Sequence, residues 1–261
     1  MKMTIDQIKD ASAREFTNAK KDAAESTETV PAELTDRIKS FAATLGGEAP
    51  AFVPVIRDAY GLFGFCVDGV REKIAADSGS IAFGWAIWEW PGAMLTAEFH
   101  AVWRDTEGAL FDITPKPGGE ARILFVHDPA YPQDFDFDQR PLNRRARIYD
   151  GADPSDDVAR LKAQLKGGRL RYEERRAARA GLPLDEWLMR KVAPDPRVRL
   201  IDQAIEACDA FEAYFDTLGG AGYVRPDDTL MALMKRRVQT VLALKAQLKT
   251  SKVAEGKSAH G

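Results

Sequence analysis

The sequence is poor in cysteine and histidine, the side chains that most often build disulfide frameworks and zinc sites. Its 261 residues include two cysteines and three histidines. Two cysteines are too few for a disulfide framework or a zinc–thiolate cluster, and catalytic zinc sites usually draw on more than one histidine. We therefore expect Cys66 and Cys208 to be free thiols in a reducing compartment.

Long apolar runs and an excess of charge of either sign are also missing. No stretch approaches the roughly 18 apolar residues of a membrane span, and residues 1–16 hold no apolar run of signal-peptide length. The formal net charge of −3 argues against a nucleic-acid partner or an acidic membrane surface. Glu173 and Glu174 interrupt the arginines of segment 167–179, which is typical of a solvated helix face. These absences predict a soluble, cytoplasmic protein that binds neither nucleic acid nor membranes.

The predicted elements are segregated along the chain rather than alternating, which favours an α+β fold. A helix opens at Pro31, and another of about three turns begins at Cys66. Aromatic and β-branched segments separated by turn residues then predict an antiparallel β-meander, and amphipathic helical periodicity follows. The four predicted parts are a helical arm (1–48), an α+β core (49–152), a helical region (153–250) and a flexible tail (251–261).

Cys66 lies where a nucleophilic thiol would be expected. It follows the segment "GLFGF" at the presumed first turn of a helix. The positive end of the helix dipole and the unpaired backbone N–H groups there favour the thiolate form. Gly61 and Gly64 would let the backbone bend and a substrate approach closely. Cys208, in "AIEACDAF", lies among apolar neighbours and is typical of a small core residue.

His100 and Asp112 lie on two predicted strands, on either side of a short connection. A turn centred near Glu107 leaves them at about equal distances from it, so they can share one face of the sheet. An imidazole held by a carboxylate is what a cysteine nucleophile needs as its base. His127 stands at a strand end and His260 in the tail, where neither predicts a role of this kind.

Other interpretations of the same residues stay open. Cys66 and His100 could be buried structural residues, and Asp112 could simply start the turn at "DITP". Glu98 and His100, two residues apart on a strand, point to one face, and with Asp112 they would make a metal site of oxygen and nitrogen ligands. Trp88 and Trp90 alternate to the same face of their strand, where they could form a wall for a substrate.

The ordered set of cysteine, histidine and aspartate resembles the core of the transglutaminase-like cysteine enzymes, in the wider papain-like group. That core has a glycine shortly before a cysteine at a helix start, then a strand with glycine and an aromatic residue, then histidine and aspartate strands. The resemblance covers residues 60–116. The matching positions are Gly64 and Cys66, Gly84 and Trp85, His100 with Ala101 and Trp103, and Asp112 with Thr114 and Pro115.

The resemblance implies acyl-transfer chemistry without a cofactor. Cys66 would attack an amide, isopeptide or ester carbonyl, His100 would move the proton, and Asp112 would orient His100. Trp88, Trp90 and Gly64 are the expected substrate-binding residues. The substrate would be a peptide, a protein or a small amide or ester, and the C-terminal helices could bind a protein partner. A catalytically inactive interaction module of the same fold is the alternative.

Overall fold

The structure, a computed structural model, describes residues 3–23, 26–151, 153–218 and 224–258, with side chains up to residue 249. His260 lies outside these ranges. The chain forms an antiparallel sheet with helices packed against it, followed by a helical C-terminal region, and the α+β class is confirmed. In the described part, no helix has both the length and the apolar character needed to cross a membrane.

Helices and strands follow one another in the predicted order. The helices are α1 (Ile5–Asp22), α2 (Asp36–Ala43), α3 (Cys66–Asp77), α4 (Ser155–Gln164), α5 (Gly167–Arg179), α6 (Leu184–Met189), α7 (Pro196–Thr217) and α8 (Asp228–Ser258). The strands are β1 (Ala51–Pro54), β2 (Ser80–Trp90), β3 (Met94–Arg104), β4 (Leu110–Phe111), β5 (Arg122–His127) and β6 (Arg144–Arg147).

The sheet is not the simple meander that the sequence predicts. Its strands run in the order β1-β5-β2-β3-β4, and β6 pairs with β3. Only β2, β3 and β4 are neighbours in chain order, because β5 returns to pair with β1 and β2. The side chains of β5 are apolar on both faces of the sheet, from Ile123 to Val126, and all are buried. A strand of this kind is stable only inside a sheet that is covered on both sides.

The two edges of the sheet meet at Asp112. Its backbone N–H donates to the carbonyl of Pro54 at 2.9 Å, and its carbonyl accepts from the N–H of Ile56 at 2.9 Å. Val55 and Asp112 form an isolated parallel bridge at the same point. The chain after β4 is therefore tied to the end of β1, and Asp112 is fixed by its backbone on a rigid part of the fold.

Side chains that alternate along β2 and β3 enter two different apolar clusters. Phe83, Trp85 and Phe99 share the larger cluster with residues of α2 and α3. Ala82 and Val102 belong to a second cluster on the other face of the sheet, together with Phe125 of β5. The second cluster is built mostly from small residues, which leaves this face of the sheet little apolar volume.

α3 has the bounds that the sequence predicts. It begins at Cys66 and ends at Asp77, where Ser78 and Gly79 take positive φ angles of 65° and 91° and stop the helix. α2, in contrast, begins five residues after Pro31. The Thr35 side chain accepts a hydrogen bond from the N–H of Ile38 at 3.3 Å, so threonine and not proline starts this helix.

The C-terminal helices pack on the end of the sheet. Trp90, at the end of β2, shares an apolar cluster with Ile201 of α7 and Leu244 of α8. Arg145 of β6 forms ion pairs with Asp209 and Glu212 of α7. α8 continues to Ser258, so the segment predicted as a flexible tail is helical over residues 251–258.

Candidate functional site

Cys66 is the first residue of α3, as the sequence predicts. Its side chain is buried, and it packs in the larger apolar cluster with Val67 and Val70 of the same helix. As the first helical residue it carries a backbone N–H that has no partner inside the helix. The thiol therefore lies at the positive end of the α3 dipole, next to a backbone donor that the helix itself does not use.

The loop before Cys66 is covered by the N-terminal helix. Gly64 has a φ angle of +79°, and a side-chain carbon at this position would lie 2.7 Å from Oε2 of Glu15 in α1. The ring of Phe16 contacts that of Phe63 edge-on, at 5.8 Å between centroids. Gly64 was expected to let a substrate approach, and the structure instead puts the carboxylate of Glu15 beside it.

His100 and Asp112 contact each other as the hairpin predicts. His100 Nε2 lies 3.2 Å from Asp112 Oδ2, and both side chains are buried. Trp103 pairs with Phe111 and Arg104 with Leu110, so Asp112 is a diagonal neighbour of His100 rather than the residue directly opposite. The hydrogen bond uses Nε2, which leaves Nδ1 as the ring nitrogen that can serve a reacting group.

Asp112 is held by three groups in addition to its backbone bonds. Oδ1 accepts a hydrogen bond from the backbone N–H of Thr114 at 2.8 Å. Oδ2 is shared between His100 and the ammonium group of Lys116, whose Nζ lies 2.6 Å away. The carboxylate is fully buried, so these donors replace the water that it would otherwise bind. Its orientation is therefore fixed.

The charges of this cluster shift the ionisation of both partners. Burial alone would lower the pKa of His100, but the carboxylate of Asp112, followed by Cys66, outweighs it and raises that pKa to about 10. Burial alone would raise the pKa of Asp112, but His100 and Lys116 outweigh it and hold that pKa well below its usual range. At neutral pH the pair is therefore an imidazolium beside a carboxylate.

Cys66 is among the groups whose charge raises the pKa of His100, but no hydrogen bond joins the two side chains in the described part of the chain. Along β3, Phe99 and Ala101 lie in the apolar cluster that contains Cys66, and His100 alternates with them. Contacts between a catalytic thiol and its base are often loose before a substrate binds. The structure therefore brings His100 and Asp112 together, whereas Cys66 packs in the apolar cluster on the other face of the sheet.

The two tryptophans expected at a substrate site have different surroundings. Trp88 is half-buried on the side of β2 that faces the second apolar cluster, and Nζ of Lys116 lies 5.7 Å from the centre of its ring. Trp90 is buried under α7 and α8, in the cluster with Ile201 and Leu244. Only Trp88 therefore contacts the group of residues around Asp112.

The described residues contain no group of three carboxylate, imidazole or thiol side chains that could hold a metal ion. Glu98 is exposed, while Asp112 is buried and already bonded to His100 and Lys116. The ammonium of Lys116 occupies the position beside Asp112 that a metal cation would need. The interpretation of Glu98, His100 and Asp112 as metal ligands is therefore wrong for this structure.

Sequence reasoning missed Lys116 and the hydroxyl of Thr114. Lys116 follows Asp112 by four residues in "DITPK", and a lysine in a loop predicts a solvated side chain unless its partner is known. Thr114 is buried, and its Oγ1 has no hydrogen-bond partner among the described residues. Buried polar groups normally have a hydrogen-bond partner, so this hydroxyl is an exception close to the pair.

Comparison with known proteins adds no relative: no family model, no curated protein and no solved structure matches this chain.

Proposed function

We propose that this protein is a cysteine-dependent acyl-transfer enzyme that acts on an amide, isopeptide or ester. The observation that carries the proposal is the buried hydrogen bond between His100 Nε2 and Asp112 Oδ2, at 3.2 Å. The charge of Cys66 is among the causes that raise the pKa of this imidazole. An oriented imidazolium and a thiol at a helix start are the two parts that this chemistry needs. The Cys-His-Asp order of the transglutaminase-like enzymes supports the same assignment.

The chemistry follows from the protonation states. The Cys66 thiolate attacks the substrate carbonyl carbon, and the carbonyl π electrons move to oxygen. His100 then gives its proton to the leaving amine or alcohol as the bond to carbon breaks and a thioester forms. Water or an amine attacks the thioester, His100 takes the proton of the nucleophile, and the thiolate leaves. No cofactor takes part in this sequence.

The negative oxygen of the intermediate needs hydrogen-bond donors. The backbone N–H of Cys66, which has no partner inside α3, is one donor close to the thiol. The side chain of Asp112 keeps its charge throughout, because its role is to hold and stabilise the imidazolium. Trp88 is the substrate-side residue that we retain, and Trp90 takes a core role.

The second candidate is an inactive interaction module of the same fold. The observation that favours it is the burial of Cys66, whose side chain is 9% exposed and packs in the apolar core. For a partner of the C-terminal helices, α8 offers exposed apolar side chains. They are Met231, Met234, Val238 and Leu242.

The test compares the reactivity of the two cysteines. Burial raises the pKa of the Cys208 thiol, so Cys208 is an internal reference for an ordinary buried cysteine. We expect iodoacetamide to alkylate Cys66 much faster than Cys208 at pH 7, as measured by peptide mass spectrometry, and His100→Gln to remove the difference. Equal and slow alkylation of both thiols would overturn the enzyme proposal and favour the inactive module.

A further inference from the structure

Lys116 lies in a loop, yet its ammonium group is buried against the pair of His100 and Asp112. Its side chain is only 7% exposed, and its Nζ lies 2.6 Å from Oδ2 of Asp112. The same oxygen is 3.2 Å from Nε2 of His100. One carboxylate oxygen therefore accepts hydrogen bonds from two cationic groups at once.

The ring of Trp88 is a second partner of the ammonium group. Nζ of Lys116 lies 5.7 Å from the centre of the Trp88 ring, within the range of a cation–π contact. Trp88 belongs to β2, and Asp112 is tied by its backbone to the end of β1. The position of the charge is thus set by two rigid parts of the sheet.

The charges around His100 indicate what Lys116 does in this arrangement. The groups that act on His100 are Asp112, Cys66 and Lys116. Without Lys116, His100 would be the only positive partner of the Asp112 carboxylate among the described residues, and it would hold its proton more firmly still. An imidazolium that cannot release its proton cannot act as the base that activates water or an amine.

We propose that Lys116 is a positioning residue of this site, which offsets the charge of Asp112 and so weakens the hold of His100 on its proton while the ring stays oriented. The role in turnover rests on the function proposed above, whereas the effect on the protonation of His100 does not. With Lys116 present, the cluster is neutral overall both as thiol with neutral imidazole and as thiolate with imidazolium. Without Lys116, both states would carry one net negative charge.

The chain offers a matched control in Lys73. This lysine is also mostly buried, at 12% side-chain exposure, and its Nζ lies 2.6 Å from Asp58 Oδ2 and 4.8 Å from the centre of the Trp103 ring. It thus has carboxylates, Asp58 and also Asp77 at 2.6 Å, and a tryptophan as partners, but it does not bind Asp112. Lys73→Met removes a similar set of contacts while leaving the charge beside Asp112 in place.

The experiment is an NMR titration of His100 in a Cys66→Ser background, where the thiol no longer contributes. The imidazole signal is assigned by its loss in His100→Gln. We expect Lys116→Met to raise the titration midpoint of His100 by about one pH unit or more, because a nearby positive charge is lost. Lys116→Arg, which keeps the charge, and Lys73→Met should leave the midpoint close to that of the parent.

An unchanged midpoint in folded Lys116→Met, or an equal rise in Lys116→Arg, would overturn the proposal. Lys116→Gln serves as a second uncharged variant. If neither uncharged variant folds by circular dichroism while Lys116→Arg does, Lys116 has a structural role and the proposal is also wrong.

Alkylation of Cys66 separates this proposal from the proposed function. With Cys66 restored, Lys116→Met should move the pH dependence of its alkylation to higher pH, since a positive charge that favours the thiolate would be lost from the cluster. Slow alkylation of Cys66 in the parent chain would count against the enzyme, while the His100 midpoints still decide the role of Lys116. Fast alkylation with the same pH dependence in Lys116→Met would count against Lys116 alone.

Discussion

Asp112 holds His100 by its Nε2 atom, with 3.2 Å between Nε2 and Oδ2. This single contact fixes the ring and decides which nitrogen remains for a substrate or for Cys66. Asp112 is itself held by backbone hydrogen bonds to Pro54 and Ile56. The imidazole is therefore oriented by the point at which the two edges of the sheet meet, and not by a mobile loop.

Replacement of Asp112 should lower both the free energy of unfolding and the pKa of His100. We expect Asp112→Asn to lower the pKa of His100, because the carboxylate is the main group that raises it. The ammonium of Lys116 would be left buried without its counter-charge, and the loss of unfolding free energy should be about 3–5 kcal/mol. Urea denaturation and NMR titration measure the two effects.

Asp185→Asn is the control for that substitution. Asp185 pairs with Lys162 on the surface, and both side chains are about half exposed. Exposed pairs contribute little, so this variant should unfold at nearly the same urea concentration as the parent. If Asp112→Asn were equally mild, the cluster around His100 would not be the buried and charged site described here.

Stability should fall as the pH rises above neutral. The pKa of His100 is raised to about 10 in the folded protein, so the folded state binds a proton that the unfolded state has already released. Its contribution is complete below the unfolded pKa, about 6.5, and is lost as the pH approaches 10. The slope is at most about 1.4 kcal/mol per pH unit. Urea melts from pH 6 to 10 measure it.

A variant without His100 shows how much of the change of unfolding free energy with pH comes from this residue. His100→Gln removes the titrating group, so the decline between pH 6.5 and 10 should become shallower. Asp112 behaves in the opposite way, because its lowered pKa gives stability that is present above its unfolded pKa and is lost only as the pH falls into the acid range. Identical slopes in the parent and in His100→Gln would mean that another group causes the decline.

Local patterns predict the parts of the site that depend on local structure. α3 begins at Cys66 because turn residues precede it and Ser78 and Gly79 stop it. His100 and Asp112 meet because a short connection joins two strands, and the register of a hairpin follows from its length. The bounds of α3 and the contact between His100 and Asp112 were therefore accessible from the sequence.

The remaining features depend on contacts between distant segments. β5 inserts between β1 and β2, although β4 precedes it in the chain. Trp88 and Trp90 share one face of a strand, yet Trp90 is covered by helices more than a hundred residues away. Lys116 is buried only because Asp112 and Trp88 provide its partners. Neither residue type nor periodicity carries this information, so local patterns could not predict it.

Gly84 should be intolerant even of alanine. It lies opposite His100 on β3 and His127 on β5, and an added side-chain carbon would be 2.0 Å from the carbonyl oxygen of Val126. The backbone cannot move away without breaking the sheet beside His100. We expect Gly84→Ala to lose about 1–3 kcal/mol or more of unfolding free energy, together with the fast alkylation of Cys66.

Gly168→Ala is the matched substitution in an open position. No heavy atom lies within 4 Å of the added carbon at this site in α5. Alanine also reduces the freedom of the unfolded chain, so stability should rise by about 0.4–1 kcal/mol. Equal thermal midpoints for Gly84→Ala and the parent would show that β2, β3 and β5 are less tightly packed at Gly84 than the structure indicates.

The sheet and the C-terminal helices should unfold together. Leu244 of α8 is fully buried in the cluster that also contains Trp90 of β2. We expect Leu244→Ala to lose about 2–5 kcal/mol, because it opens a cavity at the junction. Leu242→Ala, two residues away but 57% exposed, is the control and should have little effect.

Two signals separate coupled from independent unfolding of these regions. Near-ultraviolet circular dichroism follows the tryptophans, several of which lie in the sheet, and far-ultraviolet circular dichroism follows mainly the helices. In Leu244→Ala, both signals should be lost at the same urea concentration, lower than in the parent. Loss of helix at low urea with the tryptophan signal kept would instead show that residues 153–250 unfold by themselves. The predicted boundary near residue 152 would then separate two independent domains, and Trp90 would stay ordered without its contacts to α7 and α8.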